Sequence, residues 1–149
     1  MHPDNRDSFE FPVGGFLQIQ GVVTEEELRT PNMIDGDGVD CFLVLKSGKS
    51  TGLTPGRGTS IESFVREYTD SGNRSTFMAV AIYPYSHKDG AFSEPGDSRS
   101  IVVDDHGRIV GLLTGGATGL NGSTDVTYLT PYYWIEERIK EAFPDSCLY

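Results

Sequence analysis

Residues 100–116 carry the sequence SIVVDDHGRIVGLLTGG, in which two apolar runs flank a short polar turn. Both runs are rich in Val, Ile and Leu, which fit the half-buried surface of a β-strand. The turn, Asp104-Asp105-His106-Gly107, has the residue types that close hairpins, and a polar His106 at its tip needs no further role. The stretch therefore predicts an antiparallel hairpin.

Further strand patterns occur on both sides of this hairpin. An earlier hairpin is predicted from residues 41–45 and 51–58, which flank the turn Ser47-Gly48. Residues 76–83 form a buried strand that ends at Pro84, and residues 125–130 form the last strand. Residues 16–23 also suggest a strand, whereas residues 61–68 fit either a helix or a strand.

Helix signals are confined to two places. Thr24 and Glu27 have the spacing of a capping box before one short helical turn. Thr130 and Pro131 supply an N-cap and a first-turn proline for a C-terminal helix, whose Ile135, Ile139 and Phe143 predict an apolar stripe against the body. The expected fold is all-β, a small antiparallel six-stranded barrel closed by this α-helix.

Composition excludes several functional classes. The 149 residues include 22 acidic and 12 basic side chains, and the net charge of -10 disfavours nucleic acid as a partner. No apolar run reaches the roughly 20 residues that span a bilayer, and the start does not resemble a signal peptide. We therefore expect no membrane partner and an intracellular location. Residues 1–12 are expected to be a flexible arm or linker remnant, and residues 13–149 one domain.

The segment FSEPGDSRS at residues 92–100 leads directly into the hairpin and its Gly115-Gly116 end. It resembles the nucleophile region of trypsin-like, chymotrypsin-fold serine peptidases, in which Gly-Asp-Ser-Gly precedes such a strand pair. The resemblance covers residues 41–143 and only the C-terminal barrel of that family. More narrowly, residues 83–93 and 124–131 look like a group of larger fungal trypsin-like proteins.

The resemblance implies a role for each residue of the loop and of the cleft walls. Ser98 stands at the nucleophile position, and Gly96 lets the backbone N–H groups of Gly96 and Ser98 face one point, the oxyanion hole. Asp97 is implied to be a buried carboxylate that pairs with Lys49 in the hairpin at residues 46–52. The residues expected to bind substrate are Phe92, Thr114, Gly115, Gly116 and Asp125.

Two departures from the family pattern bear on activity. The Thr-Ala-Arg-His type of segment that carries the general base does not occur before Ser98, and neither His2 nor His87 stands at that position. Arg99 replaces the glycine that follows the nucleophile, which costs roughly 1–2 kcal/mol if the backbone there has a positive φ. Alternatively, Arg99 simply points to solvent.

We expect a serine peptidase-like domain that carries the nucleophile and the oxyanion loop, lacks the His/Asp half and is inactive alone, so enzymatic status stays open. Two alternatives remain: a peptide hydrolase reconstituted with a separate His/Asp-bearing chain, and a non-catalytic module that binds peptides by strand addition. Partners would be a polypeptide substrate or peptide ligand and a missing N-terminal barrel or partner chain. We expect no cofactor and no metal, because the calcium-like segment at residues 35–40 has Asp40 where such loops need glycine.

Overall fold

The computed structural model describes residues 18–35, 37–68, 74–86, 90–118 and 125–148. The elements in chain order are α1 (Glu25–Arg29), β1 (Met33–Ile34), β2 (Asp40–Gly48), β3 (Gly52–Tyr68), β4 (Arg74–Pro84), β5 (Ile101–Asp104), β6 (Ile109–Thr118), β7 (Asp125–Pro131) and α2 (Tyr132–Ala142). The predicted arm at residues 1–12 lies outside the described residues. Neither described helix is long and apolar enough to cross a membrane.

The strands form one closed antiparallel barrel. Hydrogen bonds link them in the order β2, β3, β4, β7, β6 and β5, and β5 pairs back with β2. The short strand β1 lies outside the barrel and pairs with the start of β2. This arrangement confirms the predicted six-stranded barrel with a C-terminal helix, and it adds one outer strand.

The core fills the barrel with side chains from several strands. Val44, Ile82, Val102 and Leu129 come from four different strands, and each is completely buried. Burial of one such side chain contributes roughly 1.5–3 kcal/mol, so this cluster supplies much of the driving force for closure. Phe92, from the loop after β4, joins the same cluster at 1% exposure.

The structure settles the ambiguous segments near the start of the chain. The capping box of Thr24 and Glu27 is present at the start of α1. Residues 61–68 continue β3 as a strand beyond a bulge between Gly58 and Glu62. The predicted strand at residues 16–23 was wrong for its described part, residues 18–23, where Val22 forms an isolated parallel bridge to Ile109.

The apolar stripe predicted on α2 does not pack as expected. Ile139 and Phe143 are 37% and 68% exposed, and the helix has no buried residue. Tyr133 makes the contact with the core instead. The helix begins at Tyr132, and its N-cap residue is Pro131, the last residue of β7, so Thr130 lies within the strand and does not cap the helix. The barrel is closed by β2–β5 pairing, and Tyr133 in the first turn of α2 packs on its core.

Candidate active site

The loop between β4 and β5 carries the Gly-Asp-Ser sequence and is held by turns at both ends. The N–H of Asp97 donates to the carbonyl of Glu94 at 3.0 Å, and the N–H of Ser100 donates to the carbonyl of Asp97 at 3.0 Å. The N–H of Arg99 donates to Leu113 on β6 at 2.7 Å. These bonds fix the backbone on both sides of Ser98.

Gly96 has a backbone conformation that favours glycine. Its φ is +108°, and a Cβ added there would lie 2.3 Å from the Oγ of Ser50. The hydroxyl of Ser50 donates to the carbonyl of Pro95 at 2.8 Å, which holds the neighbouring residue in place. Both the backbone and the space around it therefore require glycine at this position.

Asp97 is completely buried and bound by a ring of donors. Its carboxylate accepts hydrogen bonds from the N–H of Ser50 at 2.7 Å, the hydroxyl of Thr51 at 2.7 Å and the N–H of Glu94 at 3.2 Å. The Nζ of Lys46 lies 3.1 Å from its Oδ2. Burial by itself raises the pKa of Asp97, but these donors outweigh burial and hold the pKa well below its ordinary value.

The lysine that pairs with Asp97 is Lys46, whereas the sequence predicted Lys49. Lys46 lies on the inward face of β2, two residues after Val44, and its side chain is fully buried. Lys49 lies exposed in the turn after β2. The pair also needs a small neighbour, because a Cβ on Gly48 would lie 2.3 Å from the Oδ1 of Asp97.

The backbone N–H groups on either side of Asp97 are left over after this bonding. Within the described residues, no acceptor binds the N–H of Gly96 or that of Ser98, although Asp97 between them and Arg99 after them are both bonded. These two unpaired N–H groups have one residue between them and lie beside the exposed hydroxyl of Ser98, an arrangement that can bind an anion.

The described part of the chain brings no base to Ser98. Its side chain makes no hydrogen bond there, and the one described imidazole belongs to His106 in the β5–β6 turn. The four residues of β5 lie between them, and such a strand spans roughly 13 Å. His106 instead contacts Asp105, with its Nδ1 2.8 Å from the carboxylate. His2 and His87 lie outside the described residues.

Arg99 has both a positive φ and a side chain exposed to solvent, the two alternatives considered for this position. Its φ is +71°, which makes it the one residue other than glycine with a positive φ in the described ranges. Its side chain is exposed. The left-handed conformation costs roughly 1–2 kcal/mol, so the backbone keeps the geometry that glycine would favour even though arginine occupies it.

The predicted cleft residues fall into two groups. Thr114, Gly115 and Gly116 lie together on β6, where the hydroxyl of Thr114 donates to the carbonyl of Tyr128 at 3.1 Å. The backbone of Asp125 pairs with Thr118 farther along the same two strands. Phe92 is instead part of the barrel core, so it lies beneath this surface and does not line an open cleft.

Sequence reasoning missed a pair of hydroxyl groups that joins the loop to β7. The Oγ of Ser93 lies 2.6 Å from the Oγ1 of Thr127, and Thr127 is completely buried. Alternation along β7 would have indicated Thr127, because it is two residues from the buried Leu129 and so shares its face. Nothing in the local sequence pattern around Ser93 indicates that it meets this residue.

The fold is that of one half of a chymotrypsin-like serine protease. A scan against protein-family models finds no match, and a search of the curated proteins finds none either. Solved structures, in contrast, match over most of this chain. At under 25% identity they show the fold alone, and the resemblance to a fungal group stays a prediction.

Three of these structures show the extent of the likeness. Cellulomonas bogoriensis chymotrypsin matches with a TM-score of 0.52 and 19% identity over 87% of this chain and 56% of its own. Nocardiopsis protease (NAPase) matches with a TM-score of 0.54 and 18% identity, over 84% of this chain and 53% of its own. The active form of the Rv3671c protease from M. tuberculosis matches with a TM-score of 0.51 and 14% identity, over 80% of this chain and 48% of its own. The chain thus spans about half the length of the structures it matches.

Proposed function

We propose that this chain is the nucleophile-bearing half of a chymotrypsin-like serine peptidase and has no peptidase activity by itself. The observation that supports this most is the anchored loop, in which the exposed Ser98 follows the buried Asp97 and the N–H groups of Gly96 and Ser98 are unpaired within the described residues. In this proposal Ser98 attacks the scissile carbonyl, and the N–H groups of Gly96 and Ser98 bind the oxyanion that develops.

The missing step is removal of the proton from the attacking hydroxyl. A serine hydroxyl becomes an effective nucleophile only when a base accepts its proton during attack, and no described side chain lies within hydrogen-bonding distance of Ser98. Serine peptidases that have lost triad members retain about 10³–10⁴-fold catalysis over water through the oxyanion hole and binding. This residual activity is far below the activity of a working peptidase.

A second candidate is a peptide hydrolase in which another polypeptide supplies the histidine and aspartate. Large apolar side chains that lie exposed support it, among them Phe64 at 77%, Ile61 at 69% and Phe143 at 68%. Contiguous apolar surface of this kind is typical of faces that a partner covers, and Ile61 and Phe64 lie three residues apart on β3. This chain covers only 48–56% of the length of the matched structures, which leaves room for a second barrel.

A third candidate is a non-catalytic module that binds peptides by strand addition. Beyond Leu113, the described part of β6 pairs only with β7, so the opposite edge at Thr114, Gly115 and Gly116 is open. A free edge presents backbone donors and acceptors to an extended peptide. In this reading the Ser98 hydroxyl has no chemical role.

Labelling with a fluorophosphonate probe tests the leading proposal. We expect the chain to label slowly at Ser98, and added imidazole, a base from solution, should raise the labelling rate in proportion to its concentration. Ser98→Ala is the control and should not label at all. Rapid labelling without imidazole would show that the chain has its own base and would contradict the proposed inactivity.

The alternatives give different results in the same preparations. If a partner chain completes the enzyme, Ser98 should label rapidly only after that chain is added, and the two should co-elute as a complex. If the chain is a binding module, Ser98→Ala should bind extended peptides as well as the parent, with NMR shifts concentrated at Thr114–Gly116. No response to imidazole would count against a functional oxyanion loop.

A further inference from the structure

A second cluster of polar groups lies in the β5–β6 turn, separate from the Ser98 loop. Asp104, Asp105 and His106 each contribute a potential ligand atom, and these atoms all lie within 4.8 Å of one another. The Nδ1 of His106 is 2.8 Å from the Oδ1 of Asp105 and 4.0 Å from the Oδ2 of Asp104. Two carboxylates and one imidazole therefore converge on one small volume.

The side chain of Asp105 is buried without a full set of partners. It is only 5% exposed, and its Oδ2 has no hydrogen-bond partner in the described part of the chain. A buried carboxylate oxygen without a donor destabilises the fold, because it has lost its hydration and gained nothing in exchange. The other oxygen of this carboxylate, Oδ1, contacts His106, so Oδ2 is the atom to which a bound cation would supply a partner.

Asp104 maintains the turn itself. Its Oδ1 accepts hydrogen bonds from the N–H of His106 at 3.0 Å and from the N–H of Arg108 at 2.7 Å. Its Oδ2 accepts one from the Nε of Arg108 at 2.8 Å. A carboxylate oxygen has two lone pairs, so this Oδ2 can accept a second partner, and it lies 4.0 Å from the Nδ1 of His106. Arg108, which also binds Glu27, would hold the Asp104 ligand in a fixed orientation.

We propose that Asp104, Asp105 and His106 bind a divalent transition-metal ion, specifically Zn²⁺. Zinc ligands lie about 2.0–2.2 Å from the metal, which places them roughly 3–3.5 Å from one another. The His106–Asp104 separation of 4.0 Å needs only a small closure to reach this range. The ion would take the lone pair of the His106 Nδ1 and give the Asp105 Oδ2 its missing partner.

The donor set and the exposure of the site argue for zinc. Magnesium and calcium prefer sites made only of oxygen ligands, whereas an imidazole nitrogen with carboxylates suits zinc. His106 is 58% exposed, so water can reach the ion and complete a tetrahedral shell. Because β5 leads from this turn to Ser100, bound zinc would clamp the hairpin that carries the nucleophile loop.

Calorimetric titration and thermal unfolding test this proposal on the whole chain. A Cys147→Ser background removes the exposed thiol, which could itself bind zinc. We expect one Zn²⁺ per chain, a rise in melting temperature with zinc, and no comparable response to Mg²⁺. His106→Gln and Asp105→Asn should abolish binding, and a His2→Gln, His87→Gln double variant should bind zinc as the parent does.

Asp105→Asn supplies a second readout that does not depend on metal. It removes the buried charge, so in EDTA the variant should melt at a higher temperature than the parent, while zinc should no longer shift it. Loss of binding in a well-folded Asp105→Asn protein would thus support the site. Equal responses to Zn²⁺ and Mg²⁺, or zinc binding that persists in both variants, would overturn it.

Discussion

The Nζ of Lys46 lies 3.1 Å from the Oδ2 of Asp97, and both side chains are completely buried. This ion pair joins β2 to the loop that carries Ser98, because Asp97 immediately precedes the serine. Thr51 bridges the two, since its hydroxyl contacts both the Lys46 amine and the Asp97 carboxylate. The position of the loop therefore depends on a charge placed by the first barrel strand.

Replacement of Lys46 by methionine should destabilise the protein strongly. Loss of one partner from a buried ion pair leaves the other charge uncompensated, which costs about 3–5 kcal/mol. Lys49→Met is the matched control, because Lys49 is exposed in the adjacent turn and its loss should change stability by less than about 0.5 kcal/mol. Denaturant unfolding measures both values. Equal effects would show that the buried Lys46–Asp97 pair contributes no more to stability than an exposed lysine does.

The depressed pKa of Asp97 predicts a stability that depends on pH. Because the folded pKa lies below the unfolded one, this carboxylate stabilises the fold fully above the unfolded pKa, near 3.9. That contribution is lost as the pH falls from there toward the lower folded pKa. Unfolding free energies measured from pH 7 to pH 3 should therefore decrease at the acidic end.

Asp97→Asn isolates this contribution from those of other carboxylates. The variant should be less stable at pH 7, since it leaves the Lys46 charge buried without a counter-charge. It should also lose less stability than the parent between pH 5 and pH 3, because position 97 no longer titrates. An unchanged acidic slope in the variant would mean that other carboxylates account for the acid sensitivity.

Local pattern was sufficient to predict most of the barrel, because apolar runs and turn residues specify hairpins. The segments around Val44 and Val102 were both predicted as strands. Closure of the barrel, in which Leu45 pairs with Val103, leaves no local trace because these residues are far apart in sequence. The same limit applies to α2, where spacing alone did not show that Tyr133 packs on the core.

The candidate site was predicted by resemblance more than by local sequence pattern. The prediction was wrong or incomplete where the outcome depends on side-chain direction or on backbone conformation. Resemblance placed the partner of Asp97 at Lys49, but alternation along β2 places Lys46 on the face of the buried Val44. The cost of an arginine at position 99 depends on its backbone φ, a quantity that the sequence does not give. Neither the buried Asp105 nor the Ser93–Thr127 contact has a signal in local pattern.

Replacement of Arg99 by glycine should stabilise the loop. Glycine relieves the left-handed strain of roughly 1–2 kcal/mol at φ +71° but adds about 0.5–1 kcal/mol of chain entropy to the unfolded state. The net gain should be at most about 1.5 kcal/mol. Arg66→Gly, at an exposed position in β3, is the control and should destabilise, because no strain is relieved there. Destabilisation by both changes would show that Arg99 is held by side-chain contacts.

Replacement of Gly96 by alanine should damage both stability and the reactivity of Ser98. The new Cβ would lie 2.3 Å from the Ser50 hydroxyl oxygen. The alanine would also have to adopt the φ of +108°, which is unfavourable for residues other than glycine. Gly90→Ala is the matched control, since its φ of +75° is similarly unfavourable but nothing lies within 4 Å of the added Cβ. We expect imidazole-assisted labelling of Ser98 to fall in Gly96→Ala by up to about 10²–10³-fold, the cost of losing one oxyanion donor. Gly90→Ala should label at the parental rate, and an equal fall in both variants would mean that general destabilisation, and not the geometry of the oxyanion loop, controls the reaction.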